Sequence, residues 1–193
     1  GGVETMLDLM IPPIVAALVI LSIHAYLGLH VIGREVIFVD LAFAQIAALG
    51  TTVALMFGVA PGTTMSLLFA FGFTMLGALL FSFTRMDESI VPQEAVIGIA
   101  YVVASAAVIL LASLTAEGSE HLQETLTGTL LWVDWPVIVR LVGAYALIGA
   151  FHYVFRRRFL ALTFKQDGVR NVRLWDFVFY LTFGMVISLS VEV

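Results

Sequence analysis

The sequence predicts an all-α integral membrane protein, a polytopic bundle of about six transmembrane helices with its N-terminus on the extracytoplasmic side. Three observations predict it. Of 193 residues, 61% are hydrophobic and 12% charged, against roughly 45–50% and about 25% in soluble domains. The apolar residues form six runs of about 20, the length that crosses ~30 Å of hydrocarbon at ~1.5 Å per residue. The basic residues between the runs gather on one side.

The predicted spans are 9–32, 36–58, 63–83, 95–114, 137–155 and 174–193, in one transmembrane domain. The first is preceded by acidic Glu4 and Asp8 and has no basic n-region, so it is not read as a signal peptide. Gly33-Arg34-Glu35 closes it, Val59-Ala60-Pro61-Gly62 separates the second and third, and Arg85-Met86-Asp87-Glu88 separates the third and fourth, which Pro92 opens. Residues 115–134 carry Leu122, Leu126 and Leu130 at i, i+4 and i+8, the pattern of an amphipathic helix along the outer surface. Residues 159–173 mix Leu160, Leu162 and Phe164 with Lys165, Asp167 and Arg170, a loop too apolar for a mere linker and therefore a docking segment.

With alternating connections, Arg34, Arg85, Arg156, Arg157, Arg158, Lys165, Arg170 and Arg173 fall on one side, eight of the nine basic residues, with Arg140 the exception. Short cytoplasmic loops are enriched in Lys and Arg, which makes that side cytoplasmic. The opposite side receives Glu117, Glu120, Glu124 and Asp134. Cysteine is absent, so no disulfide and no thiolate metal site can form within these residues. Walker A, G-x-S-x-G and H-E-x-x-H patterns are also absent, and nothing supports nucleotide hydrolysis or proteolysis by this chain. The expected surroundings are the lipid bilayer, with no nucleic-acid partner.

Polar residues inside the spans are the candidates for chemistry. Asp40 and Gln45 lie in the second span, where an ionisable group costs at least ~2.5 kcal/mol unless it faces protein or water. Asp40 reads either as a pathway residue or as a headgroup-level carboxylate paired with a neighbouring donor. It is five residues from Gln45, about 140° around a helix, so the two need not share a surface. His24 and His30 are six apart, about 120° from each other, and one face cannot present both to a single ion. His24, the deeper, is the pathway candidate, whereas His152 beside Arg156 reads as interfacial. His121 among Glu117, Glu120 and Glu124 would attract cations at the outer mouth or form a solvated helix face. Glu94, after Pro92, suits a helix N-terminus as a cap and is also a pathway candidate. Ala44, Ala47, Ala48 and Thr51, with Gly50, Ala54 and Gly58, make small-residue rows that place the second helix centrally in the bundle.

The run Gly33-Arg34-Glu35-Val36-Ile37-Phe38-Val39-Asp40-Leu41-Ala42-Phe43-Ala44-Gln45-Ile46-Ala47-Ala48-Leu49-Gly50 resembles the signature of the ABC-3 family of zinc, manganese and iron importer permeases. In that pattern a basic residue is followed by Asp, a spacer, His, and Gly five residues later. Here Gln45 stands at the His position, and Asp40 is one residue farther away. Glu94-Ala95-Val96-Ile97-Gly98-Ile99 resembles the opening of the family's next inner helix, and Leu126-Thr127-Gly128-Thr129-Leu130-Leu131-Trp132-Val133 its Gly-Leu-Leu segment. Phe159-Leu160-Ala161-Leu162-Thr163-Phe164 resembles the start of the coupling element, whose continuation is compressed into Lys165-Gln166-Asp167-Gly168-Val169-Arg170.

The resemblance implies a permease subunit, not an enzyme, of an ATP-driven importer in a prokaryotic cell membrane. It further implies a homodimer, cytoplasmic ATPase subunits that carry the ATP and dock at Phe159, Phe164, Lys165, Asp167, Gly168 and Arg170, and an extracytoplasmic metal-binding protein. The cargo is a divalent Zn, Mn or Fe ion with no resident cofactor, and Asp40, Gln45, His24 and Glu94 are candidates for its path. Family members continue with two or so more helices, so C-terminal helices are expected to be missing here. The alternative is an ion-coupled secondary transporter or channel using Asp40 and His24 as a relay, which would work without an ATPase. An intramembrane metal hydrolase needs convergent His and carboxylate ligands, which these spacings do not offer.

Overall fold

The computed structural model describes residues 2–84, 91–114, 130–164 and 170–191. Its helices are α1 (Gly2–Arg34), α2 (Val39–Met56), α3 (Thr64–Phe83), α4 (Gln93–Ala112), α5 (Trp135–Val154), α6 (Arg156–Thr163) and α7 (Val172–Val191), with a 3-10 turn at Leu130–Trp132 before α5. Among the described residues there is no strand, and six helices are long and apolar enough to cross a membrane: α1 from Leu9, α2, α3, α4, α5 and α7.

Helix ends follow local backbone chemistry. α1 runs through Arg34 and stops because Glu35 adopts a left-handed conformation (φ 59°), with Glu35 N–H bonded to Ile32 O and Val36 N–H to Val31 O. This Schellman pattern usually carries glycine at the left-handed position. α2 ends in the same pattern with Gly58 there (φ 77°), Gly58 N–H on Leu55 O and Val59 N–H on Ala54 O. The turn after Glu35 delays α2 to Val39, so Asp40 falls in its first turn. Pro136 in the first turn of α5 supplies a preset φ where no amide donor is needed, and the helix opens at Trp135.

α2 is the most enclosed span, 61% buried against 22% for α4. It packs on α3 and α4, and α7 lies against α2 and α3, while α1 pairs with α5. Small residues set these distances. A Cβ on Gly50 would stand 2.7 Å from Phe69 O and 2.8 Å from Ala70 Cα, so α2 and α3 touch backbone to backbone. Gly77 and Gly184 leave room for Phe43, which packs with Phe81, Tyr180 and Phe183 at the centre.

The helices alternate in direction. Gln93 Nε2 of α4 donates to Phe81 O near the end of α3, Glu94 reaches the start of α2, and Arg34 at the end of α1 reaches the start of α7. All these termini therefore meet at one end, which also carries Arg156, Arg157, Arg158, Arg170 and Arg173 and is called the basic end below.

Candidate functional site

At the basic end the segment expected as a loop begins as a two-turn helix. α6 forms because Phe159, Leu162 and Thr163 recur at i, i+3 and i+4, the spacing of one helix face, and all three are buried. Arg156, Arg157, Arg158 and Leu160 stay exposed. Phe159 lies flat on His152, ring centroids 4.1 Å apart at 7°, and meets Trp175 edge-on at 5.6 Å.

Two hydrogen-bonded layers join the helices here. In the outer layer Arg34 Nε donates to Thr163 Oγ1 (3.3 Å), and Thr163 Oγ1 is 2.7 Å from His30 Nδ1. A guanidinium nitrogen can only donate, so the Thr163 oxygen accepts from it, while the direction of the Thr163–His30 bond follows the imidazole tautomer. Arg34 Nη1 donates to Asp176 Oδ1 at 2.9 Å, in an ion pair with side chains 6% and 0% exposed. In the inner layer the Thr182 hydroxyl donates to backbone oxygens of α7 and accepts from His152 Nε2 (2.8 Å), and Tyr26 donates its hydroxyl to His152 Nδ1 (3.2 Å). His30 Nδ1 and both ring nitrogens of His152 thereby have hydrogen-bond partners. His152 is buried within the bundle, between Phe159, Phe179, Tyr26 and Thr182.

Burying an ion pair forfeits hydration that the attraction repays only with good geometry. Here Arg34 Nη2 is buried without a hydrogen-bond partner. The guanidinium carbon sits 3.9 Å from the Phe179 ring centroid, and the ring face offsets part of that loss.

The four pathway candidates are not gathered in one place. His24 is half-buried on α1, and its Nδ1 lies 2.8 Å from Ile20 O. The carbonyl only accepts, so Nδ1 carries the proton and Nε2 presents a lone pair, the atom that would bind a metal. Asp40 is exposed in the first turn of α2 and accepts from the Leu41 amide, while Gln45 is half-buried farther along that helix. Glu94 Oε1 accepts from Phe38 N–H at 2.9 Å, so it caps the neighbouring helix α2, and its Oε2 is buried without a partner. Among the described residues no three His, Asp or Glu side chains form a group that could hold a metal ion.

The outer-mouth residues Glu117, Glu120, His121 and Glu124 lie outside the described residues, as do Lys165, Asp167 and Gly168 and most of the expected outer amphipathic helix. Of the coupling residues that are described, Phe159 is turned into the core, whereas Phe164 and Arg170 are exposed. Sequence reasoning missed Asp176, Thr163, Thr182 and Tyr26. Asp176 had a signal, since it is an ionisable residue inside an apolar run, the same rule that singled out Asp40.

A family model for the ABC 3 transport family matches residues 6–193. The chain belongs to that family. Its fold is similar to a solved structure described as PsaBC from Streptococcus pneumoniae in complex with Fab, with a TM-score of 0.73 at 20% identity. The match covers 95% of this chain and 65% of that one, so this ABC 3 chain spans about two-thirds of the solved relative's length. A comparison with curated proteins returned no match. Family membership and six apolar helices together make this ABC 3 chain part of a multi-pass membrane protein.

Proposed function

We propose that the chain is the membrane-spanning part of a permease subunit of an ATP-driven importer for a divalent transition metal ion, zinc, manganese or iron, in a prokaryotic cell membrane. The observation that carries this reading is the family match across residues 6–193. In this reading two copies form the transmembrane pathway, and cytoplasmic ATPase subunits dock on the basic end at residues 159–173. An extracytoplasmic binding protein delivers the ion to the acidic outer segment. This chain hydrolyses nothing itself. The exposed Phe164 and Arg170 offer the ATPase an apolar and a cationic contact, while buried Phe159 and Thr163 hold the segment against α1, α5 and α7.

For the ion, His24 supports the reading best, because its backbone bond leaves Nε2 free to ligate. Asp40 and Gln45 would serve at other depths, as successive stations and not as one shell. Glu94 serves first as the cap that fixes where α2 begins.

The test is uptake into proteoliposomes holding the full-length protein and its ATPase, with and without ATP, comparing zinc, manganese and iron. ATP-dependent uptake that is reduced in His24→Ala and Asp40→Ala supports the reading. Uptake indifferent to ATP and driven by a pH gradient instead selects an ion-coupled secondary transporter.

A further inference from the structure

We propose that Thr163 is the positioning residue through which displacement of α6 is transmitted to α1 and, by way of Arg34, to α7. The inference rests on residues 159–173 being the segment on which an ATPase acts.

α1 grips Thr163 at three points. A Cβ on Gly33 would lie 2.6 Å from Thr163 Cγ2, so the missing side chain at Gly33 forms a notch that the threonine methyl fills. The hydroxyl of Thr163 meanwhile sits between His30 Nδ1 (2.7 Å) and Arg34 Nε (3.3 Å). His30, Gly33 and Arg34 are spaced i, i+3 and i+4, which puts them on one face of α1. Both branches of one side chain are thus engaged by one helix face. Arg34 then carries the link to Asp176 of α7 at 2.9 Å.

Elsewhere α6 is held by apolar and ring contacts, through buried Leu162 and through Phe159 between His152 and Trp175. Apolar burial is non-directional and ring pairs hold over a range of centroid separations, so both tolerate a small shift. Hydrogen bonds do not, since they weaken steeply once distance or angle departs from a narrow range. A push on α6 is therefore absorbed at Phe159 and passed on at Thr163. Thr163 is 1% exposed, so it acts beneath the docking surface and does not form part of it.

The experiment uses the full-length protein with its ATPase in proteoliposomes and reads metal uptake and ATP hydrolysis separately. Thr163→Val keeps the methyl in the Gly33 notch and removes the hydroxyl, whereas Thr163→Ser keeps the hydroxyl. The expected result for Thr163→Val is continued ATP hydrolysis with metal moved per ATP reduced about tenfold, a typical coupling loss. Thr163→Ser is expected to remain near the wild type. Should Thr163→Val fail to fold, His30→Leu removes the same link from the α1 side and His30→Gln restores a polar partner, with the same split expected.

A wild type that couples, beside a Thr163→Val variant that couples equally well, overturns this inference alone. So does equal loss in Thr163→Val and Thr163→Ser, or an ATPase that no longer binds the Thr163→Val protein. Wild-type uptake indifferent to ATP overturns the importer reading and this inference with it.

Discussion

At the scale of single residues, the Arg34–Asp176 pair is a buried ion pair that ties two spanning helices together. Its side chains are 6% and 0% exposed and join the end of α1 to the beginning of α7. Removing one member takes the ion-pair partner from the other, and breaking a buried pair in this way costs about 3–5 kcal/mol. Replacing both with apolar groups removes the desolvation cost as well as the attraction. Asp176→Ala and Arg34→Met are each expected to lose about that amount in a mixed-micelle unfolding titration, while Arg34→Met combined with Asp176→Leu recovers most of it. Losses that simply add would show that the two side chains act independently. The sequence carried a signal for half of this pair, an acidic residue in an apolar run at Asp176, which sequence reasoning missed. Its partner was not legible, since 142 residues separate them and no periodicity encodes which helix ends meet. The surroundings of His152 were not legible for a related reason. Its hydrogen-bond partners Tyr26 and Thr182 stand 126 and 30 residues away, and Phe159 folds back over its ring.

At the scale of elements, the helices were legible and their ends less so. A run of about 20 apolar residues has few ways to satisfy its backbone in lipid other than as a helix. The boundaries instead depend on a few φ angles. Glu35 is the informative case, because it occupies the left-handed position that Gly58 fills at the end of α2. A side chain there costs about 1–2 kcal/mol that glycine avoids. Glu35→Gly is therefore expected to raise stability by about 1 kcal/mol, read as a shift of the unfolding midpoint in detergent. An unchanged or lowered midpoint would mean that the Glu35 side chain, exposed as it is, contributes something its backbone geometry conceals. The small-residue rows of α2 were legible for a simpler physical reason. Only residues without bulk permit the approach seen at Gly50, and the sequence places several of them at helical spacing.

At the scale of the whole molecule, the charge distribution and the helix connectivity are independent observations that agree. Hydrogen bonds bring the ends of α1 and α3 together with the starts of α2, α4 and α7, and the exposed arginines stand at that same end. Basic residues are retained on the cytoplasmic side, so the α2–α3 connection at the other end must face outward. The absence of cysteine makes this directly measurable, because one introduced thiol is unambiguous among these 193 residues. Ala60→Cys sits exposed in the α2–α3 connection and Arg157→Cys sits exposed on α6. In intact cells a membrane-impermeant maleimide is expected to label Ala60→Cys at once and Arg157→Cys only after permeabilisation. The reverse pattern would invert the bundle and place residues 159–173 outside the cytoplasm, where no ATPase could reach them. Orientation thus decides whether the basic end can couple to ATP at all, and labelling tests that before any transport is measured.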